Sequence, residues 1–150
     1  MILDCVGYIK RIKMTEKELK AKTKAIAVSV GRLCEKLPST RINNTYIGQI
    51  VRCSASVGAN YRAACRAKSS NDFVYKLQIV EEETDETLYF LELLAEFNPG
   101  FKAEMRLLYK ETEVILRIVV ASIKTSMKKL DYRPTSRQSK NQNLKSKTNG

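Results

Sequence analysis

The sequence contains no histidine and no tryptophan. The absence of histidine removes the commonest general base, the usual zinc ligand sets, Ser-His-Asp triads and the Glu-x-x-His di-iron sites of helical bundles. Neither GxxxxGK[ST] nor GxGxxG occurs, so the chain also lacks the common phosphate-cradling loops. The sequence therefore predicts a protein that is not an enzyme and that has no cofactor, no catalytic residues and no metal site.

Glycine and proline are scarce, with six and three in 150 residues, which favours long helices joined by few turns. No stretch approaches 18 consecutive apolar residues, so we expect no membrane span. The opening "MILDCVGYIKRIK" has no proper apolar core or cleavage site of a secretion signal. Four cysteines without CxxC spacing are typical of reduced thiols, and together these features predict a cytoplasmic protein.

Apolar residues recur at alternating steps of three and four along four segments, as in amphipathic helices. Thr15 with Glu18 forms a capping box, and Pro38 marks a stop. Ser39 or Thr40 begins the second segment, Ser69 with Asp72 the third, and "NPG" at 98–100 ends it. The predicted core positions are Leu19, Thr23, Ile26, Val30, Leu33 and Leu37; Ile42, Tyr46, Ile50, Cys53, Val57 and Tyr61; Phe73, Leu77, Val80, Thr84, Leu88, Leu91 and Leu94; and Phe101, Met105, Leu108, Thr112, Ile115, Val119, Ile123, Met127 and Leu130.

Short connections between long helices make neighbouring helices antiparallel. The predicted fold is therefore all-α: an antiparallel up-down-up-down four-helix bundle over residues 15–130. Residues 1–14 are predicted to be an N-terminal extension or a basic arm. Residues 131–150 are polar, basic and nearly free of large apolar side chains, which predicts a disordered tail.

Charge is divided unevenly along the chain. The net charge is +11, but residues 72–98 hold eight acids and one cation, whereas residues 1–71 hold fourteen cations and four acids. The third helix is thus an acidic rod between basic neighbours. In an antiparallel hairpin Arg52 comes opposite Glu83, one turn from Glu86, and an arginine suits a carboxylate bidentately. We expect Arg52 to pair with Glu83 or Glu86 inside the bundle as a structural ion pair.

Other cations have no such internal partner in the sequence pattern. Arg62 and Arg66 are one helical turn apart, and Lys68 follows. They are candidates for contact with nucleic-acid phosphates, together with the lysines of the first helix; acidic residues of a neighbouring subunit are the alternative partner. The predicted nucleic-acid-binding residues are Lys17, Lys20, Lys22, Lys24, Arg62, Arg66 and Lys68.

Two long segments carry a family resemblance. "QIVRCSASVGANYRAACRAKSSNDFVYKLQIVEEETDETLYFLELL" (49–94) and "KETEVILRIVVASIKTSMKKL" (110–130) resemble the bacterial four-helix-bundle family associated with intervening sequences in 23S ribosomal RNA genes, which includes the accessory variability protein of diversity-generating retroelements. The Ser-x-x-x-Asn of helix two, the Ser/Asp-Phe start of helix three and the Glu-Thr-Leu-Tyr segment occur in order. Val57-Gly58 and Ala63-Ala64 depart from the family's common Ile-Pro and Glu-Gly.

The resemblance implies a homopentameric barrel with a basic surface and no established enzymatic activity. The retroelement relative is a scaffold that binds a reverse transcriptase and nucleic acid, so a reverse transcriptase is an expected partner. Carried over by position, Asn60 is a structural polar residue, and Arg52, Glu83 and Glu86 match the motif. The expected function is a non-enzymatic oligomeric scaffold that binds RNA or DNA without reading sequence. The alternative is a protein–protein interaction module or a ribosome-associated structural protein.

Overall fold

The computed structural model describes residues 14–131, and the predicted N-terminal extension and C-terminal tail lie almost entirely outside them. The described residues form four α-helices and one short 3₁₀ turn at Pro99–Phe101, with no strand among them. The helices are α1 (Glu16–Lys36), α2 (Arg41–Cys65), α3 (Ser70–Phe97) and α4 (Lys102–Asp131). The all-α prediction is confirmed.

Each of the first three helices begins next to a residue whose side chain accepts a hydrogen bond from an unpaired backbone N–H group of the first turn. Thr15 and Glu18 form the complete capping box at the start of α1. Thr40, rather than Ser39, caps α2 by accepting from the Asn43 N–H, and Ser69 caps α3 by accepting from the Asp72 N–H. Each cap offsets part of the desolvation cost of a helix terminus, which is why these boundaries could be predicted.

The helices form a ring in which each contacts its two neighbours. Close backbone contacts join α1 to α2, α2 to α3, α3 to α4 and α4 to α1, whereas the diagonal pairs make none within residues 14–131. Side-chain contacts give the directions: Cys53 of α2 meets Thr87 of α3, while Asn43, ten residues earlier, meets Asn98, eleven residues later. These two helices therefore run antiparallel.

The same reversal relates the other neighbours. The start of α1 (Glu16) borders the end of α2 (Cys65) and the end of α4 (Lys129), while Lys36 at the end of α1 pairs with Glu104 at the start of α4. In the α3–α4 pair, Glu92 contacts Tyr109. All four helices are thus arranged up-down-up-down, as the short connections require.

The core follows the predicted stripes at all but a few positions. Every predicted position of α1 is buried, as are those from Leu77 to Leu94 in α3 and from Met105 to Ile123 in α4. The prediction is wrong at Ile42, which is 40% exposed, and at Met127, which is 46% exposed. In α2 the predicted positions Ile50, Cys53, Val57 and Tyr61 are buried, and Asn43 takes the place of Ile42 in the core.

Glycine serves a close helix crossing at one of two positions in α2. A Cβ atom on Gly58 would lie 3.2 Å from the Thr23 Oγ1 of α1, so the missing side chain lets the two helices approach. A Cβ atom on Gly48 would meet nothing within 4 Å. A close crossing of α1 and α2 is therefore present at Gly58 and absent at Gly48.

Candidate nucleic-acid interface

Three lysines of α1 occupy one side of the helix. Lys17, Lys20 and Lys24 are spaced by three and four residues, which places them in line, whereas Lys22 is two residues from Lys20 and projects from nearly the opposite side. Lys17 and Lys24 are exposed, and Lys20 is ion-paired with Glu16 at 2.5 Å. The structure therefore separates Lys22 from the other three predicted lysines.

Arg62 and Arg66 extend this basic side onto α2. Both side chains are exposed and form no ion pair within residues 14–131. Because Glu16 borders Cys65 and Thr23 lies against Gly58, the first half of α1 runs beside the second half of α2. The lysines and arginines therefore lie at the same end of the bundle, and we call Lys17, Lys20, Lys24, Arg62 and Arg66 the basic face.

Lys68 lies in the short connection between α2 and α3, next to an acid. Its backbone N–H donates to Asp72 Oδ2 at 3.1 Å, and the Lys76 ammonium reaches the same oxygen at 2.9 Å. The Lys76 hydrogen bond, followed by the Lys68 N–H, lowers the pKa of the Asp72 carboxyl. Asp72 therefore partly offsets the positive charge at this corner, which makes Lys68 a weaker anion contact than Arg62 or Arg66.

Arg52, Glu83 and Glu86 come together across the α2–α3 seam. Arg52 Nη2 lies 2.5 Å from Glu86 Oε1, and Nη1 lies 3.3 Å from both oxygens of Glu83. One guanidinium thus bridges two carboxylates one helical turn apart, and chiefly the hydrogen bond to Glu86 raises the pKa of Arg52. The predicted pairing is therefore present with both carboxylates, but it lies at the edge of the seam and not inside the bundle, because the side chains of Arg52, Glu86 and Glu83 are 48%, 36% and 18% exposed.

Asn60 has a local role in α2. Its side-chain amide donates to the Ser56 carbonyl one turn earlier at 2.9 Å, so the Ser-x-x-x-Asn element closes on its own backbone. The residue lies on the α3 side of the helix, away from the basic face, as its spacing from Cys53 and Ser56 requires.

A cavity of about 450 Å³ opens at the end of the bundle below the basic face. Glu16, Tyr61, Cys65, Phe73 and Lys129 are among its lining residues. Burial raises the pKa of Tyr61 and that of the Cys65 thiol, so both groups are protonated near neutral pH. No cluster of histidine, cysteine or acidic side chains in the described part of the chain could hold a metal ion.

The buried thiols are equally unreactive. Burial raises the pKa of Cys34 to about 11 and that of Cys53 above its ordinary value. Because the thiolate is the nucleophile, neither residue is suited to covalent catalysis. Cys34, Cys53 and Cys65 are all free, and Cys5 lies outside the described residues.

Sequence comparison identifies the family of this bundle. Residues 15–121 match the profile of the 23S rRNA-intervening sequence protein. The chain belongs to this family. A crystal structure of a protein of unknown function from the S23 ribosomal protein family of Bacteroides thetaiotaomicron is similar to it, with 30% identity and a TM-score of 0.65. The likeness covers 74% of this chain and 99% of that one. No curated protein matches the sequence of this family member.

Sequence reasoning missed a buried polar contact at the other end of this family member. Asn43 and Asn98 are 2% and 5% exposed, and their carboxamides bond to each other. The sequence pattern indicates only that Asn98 is part of a helix stop. The available signal was the seven-residue spacing of Asn43 from Ile50 and Val57, which places Asn43 in the core line.

Among residues 14–131, no helix is long and apolar enough to cross a membrane.

Proposed function

We propose that this protein is a non-enzymatic, oligomeric, cytoplasmic scaffold that binds RNA or DNA through its basic face without reading sequence. The observation that carries the proposal is the grouping of exposed, unpaired cations from two helices at one end of the bundle. Arg62 and Arg66 have no ion-pair partner within residues 14–131, and Lys17 and Lys24 are exposed beside them. Phosphate groups neutralise such a surface and release counterions from the nucleic acid.

The lack of exposed aromatic rings among the basic-face residues supports binding through phosphates, which is independent of sequence. The basic face consists of lysine and arginine of α1 and α2, and the exposed rings Tyr75, Tyr89 and Phe97 all belong to α3. Without a stacking platform beside the cations, contacts to phosphates dominate, and these carry no sequence information directly. The family match to a 23S rRNA-intervening sequence protein is consistent with a nucleic-acid context.

An electrophoretic mobility shift with labelled RNA and with duplex DNA at low and moderate salt tests the proposal. We expect retardation at low salt that disappears as salt rises, because the contacts are electrostatic. The Arg62→Ala/Arg66→Ala variant should bind more weakly. The matched control is Lys102→Ala/Arg106→Ala, which removes the same charge from exposed positions at the opposite end of the bundle. No retardation at low salt, or equal losses in both variants, would refute the proposal.

A second candidate is a protein-interaction module in which the basic face binds acidic residues of another subunit. The segregation of charge favours it, since residues 72–98 carry eight acids and one cation. The same Arg62→Ala/Arg66→Ala variant separates the two candidates. A change in particle mass by light scattering, with nucleic-acid binding retained, supports assembly; unchanged mass with binding lost supports the nucleic-acid interface.

The oligomer proposed for this scaffold is a homopentamer, and its proposed protein partner is a reverse transcriptase. The pentamer comes from the family resemblance, and the reverse transcriptase comes from the resemblance to the retroelement accessory protein. Light scattering of the full chain measures the subunit number directly. Co-purification with a reverse transcriptase encoded near its gene tests the partner, and the Arg62→Ala/Arg66→Ala variant shows whether the basic face is needed for that contact.

A further inference from the structure

The outward side of α3 combines acids with aromatic rings. Between Glu82 and Phe97, side chains spaced by three or four residues fall in one line along the helix, over a length of about 22 Å. Most of them are exposed, and Glu86 and Leu93 are half-buried. We call this line the α3 stripe; its residues are Glu82, Glu86, Tyr89, Leu93, Glu96 and Phe97.

The aromatic rings of the α3 stripe are exposed but anchored. Tyr89 is 56% exposed and Phe97 55%. Tyr89 lies 5.7 Å from Phe90 between ring centroids, and Tyr46 of α2 lies 6.0 Å from both Phe90 and Phe97. Since Tyr46 and Phe90 are half-buried against the core, they hold a continuous layer of rings at the surface. An exposed apolar patch edged by charges is typical of an interaction site.

The α3 stripe carries more negative charge than the bundle neutralises. Residues 77–101 contain seven acids and no cation. Arg52 pairs with Glu83 and Glu86, but Glu82 and Glu96 have no ion-pair partner among the described residues. The carboxylates of the α3 stripe repel phosphate groups. In a two-fold contact they would also repel the same stripe of a second copy. A positively charged partner is the complement of this surface.

We propose that the α3 stripe docks an arginine-bearing basic segment of a partner protein. A guanidinium group stacks on aromatic rings and pairs with carboxylates in two-pronged fashion, whereas an ammonium group is a compact, strongly hydrated charge. Arg52 of the bundle itself already pairs with one acid of the stripe, with its Nη2 2.5 Å from Glu86 Oε1. Tyr89 and Phe97 offer the rings on which further guanidinium groups stack.

Fluorescence anisotropy with two labelled peptides of equal length, oligoarginine and oligolysine, tests this docking surface on the full chain. We expect the arginine peptide to bind about two- to fivefold tighter for each ring that a guanidinium stacks on. Tyr89→Ala/Phe97→Ala should remove that preference, and Glu82→Gln/Glu96→Gln should weaken both peptides. Val28→Ala/Val51→Ala, at exposed apolar positions on α1 and α2 outside the α3 stripe, is the control for the ring variant.

Glu104→Gln/Glu111→Gln controls for the loss of two exposed acids elsewhere. Circular dichroism establishes that each variant is folded, which the exposure of the replaced side chains leads us to expect. Equal affinity for the two peptides, or affinities unchanged by the α3 variants, would overturn the proposal. A fall in particle mass for Tyr89→Ala/Phe97→Ala without peptide would also overturn it, because a second copy would then cover the stripe. Nucleic-acid binding by the basic face depends on other residues, so failure of either proposal is visible separately.

Discussion

The side-chain carboxamides of Asn43 and Asn98 form two reciprocal hydrogen bonds, in which the Nδ2 of each donates to the Oδ1 of the other at 2.9 Å. Asn43 lies at the beginning of α2 and Asn98 at the end of α3. Asn43 also donates to the Pro38 carbonyl, and Asn98 to the Leu94 carbonyl. One buried pair thus joins the α1–α2 connection to the last turn of α3. It satisfies backbone carbonyls that would otherwise be desolvated without a partner.

Replacing one member of this pair should destabilise the bundle strongly. Asn43→Leu leaves the Asn98 Oδ1 and the Pro38 carbonyl without their donor, at about 1–3 kcal/mol for each group. We expect a loss of at least about 2 kcal/mol in the free energy of unfolding, measured in urea. Asn44→Leu, at the exposed neighbouring position, should change it by less than about 0.5 kcal/mol.

The double variant Asn43→Leu/Asn98→Leu provides the second arm of this experiment. When both amides are removed, neither leaves the other unpaired in the core. The double variant should therefore lose less free energy of unfolding than the two single variants lose together. Strict additivity would contradict the coupling between Asn43 and Asn98.

The two internal glycines of α2 should respond oppositely to alanine. Gly48→Ala meets open space and gains helix propensity, so we expect a stabilisation of about 0.5–1 kcal/mol. Gly58→Ala places a Cβ atom 3.2 Å from Thr23 Oγ1, which is buried and donates to the Lys20 carbonyl. Because the β-branched Thr23 side chain is held by this hydrogen bond, it can move little to make room for the Cβ atom. Gly58→Ala should therefore lack the stabilisation expected for Gly48→Ala.

Thermal or urea unfolding of the two variants compares them directly. The Thr23→Ala/Gly58→Ala pair relieves the contact and should restore much of the alanine gain relative to Thr23→Ala alone. If Gly58→Ala stabilised the protein as much as Gly48→Ala, the close crossing of α1 and α2 would be wrong.

Much of the bundle follows from local signals in the sequence. The capping box at Thr15 and Glu18, the cap at Ser69 and the three-four spacing of leucines act within one or two helical turns, so they can be read without coordinates. Ile42 and Asn43 show the limit of such reasoning. The seven-residue line through Ile50 and Val57 favours Asn43, but a buried asparagine is expected only once its partner Asn98, 55 residues away, is known.

The candidate sites illustrate the same limit. The approach of Arg52 to Glu83 and Glu86 follows from the hairpin register, but its exposure depends on how closely α2 and α3 pack. Lys22 is close to the three other lysines along the chain, but helical geometry places it on another side of α1. The α3 stripe needed coordinates, since the rings of Tyr46 and Phe97 come from different helices.

Charge reversal at Arg52 should destabilise the bundle mainly at low salt. Arg52→Glu places a third carboxylate beside Glu83 and Glu86, and the repulsion is screened because the site is half-exposed. We expect a lower melting temperature at about 0.02 M salt that largely recovers at about 1 M. Arg62→Glu, on the same helix but without a carboxylate partner, should show no comparable loss. An equal loss at both salt concentrations would contradict the account.

Acid should weaken the start of α3 through Asp72. The Lys76 hydrogen bond and the Lys68 N–H lower the pKa of this carboxyl in the folded protein. Its contribution to stability is therefore present above the ordinary value of about 3.9 and is lost as pH falls through the lower folded pKa. Melting temperatures between about pH 5 and pH 2 should fall less steeply for Asp72→Asn than for the wild type. If the melting temperatures of the wild type and Asp72→Asn fell in parallel as pH decreased, Asp72 would not contribute to the stability of the bundle.

The salt dependence of RNA affinity tests the central claim most directly. For the wild type, the logarithm of the binding constant measured by fluorescence anisotropy should fall linearly with the logarithm of salt concentration, by about 0.7–0.9 per phosphate neutralised. Arg62→Ala/Arg66→Ala should make this slope shallower by about 1.4–1.8, and Lys102→Ala/Arg106→Ala should leave it unchanged. A flat dependence for the wild type, or the same slope in all three proteins, would contradict a nucleic-acid interface on α1 and α2.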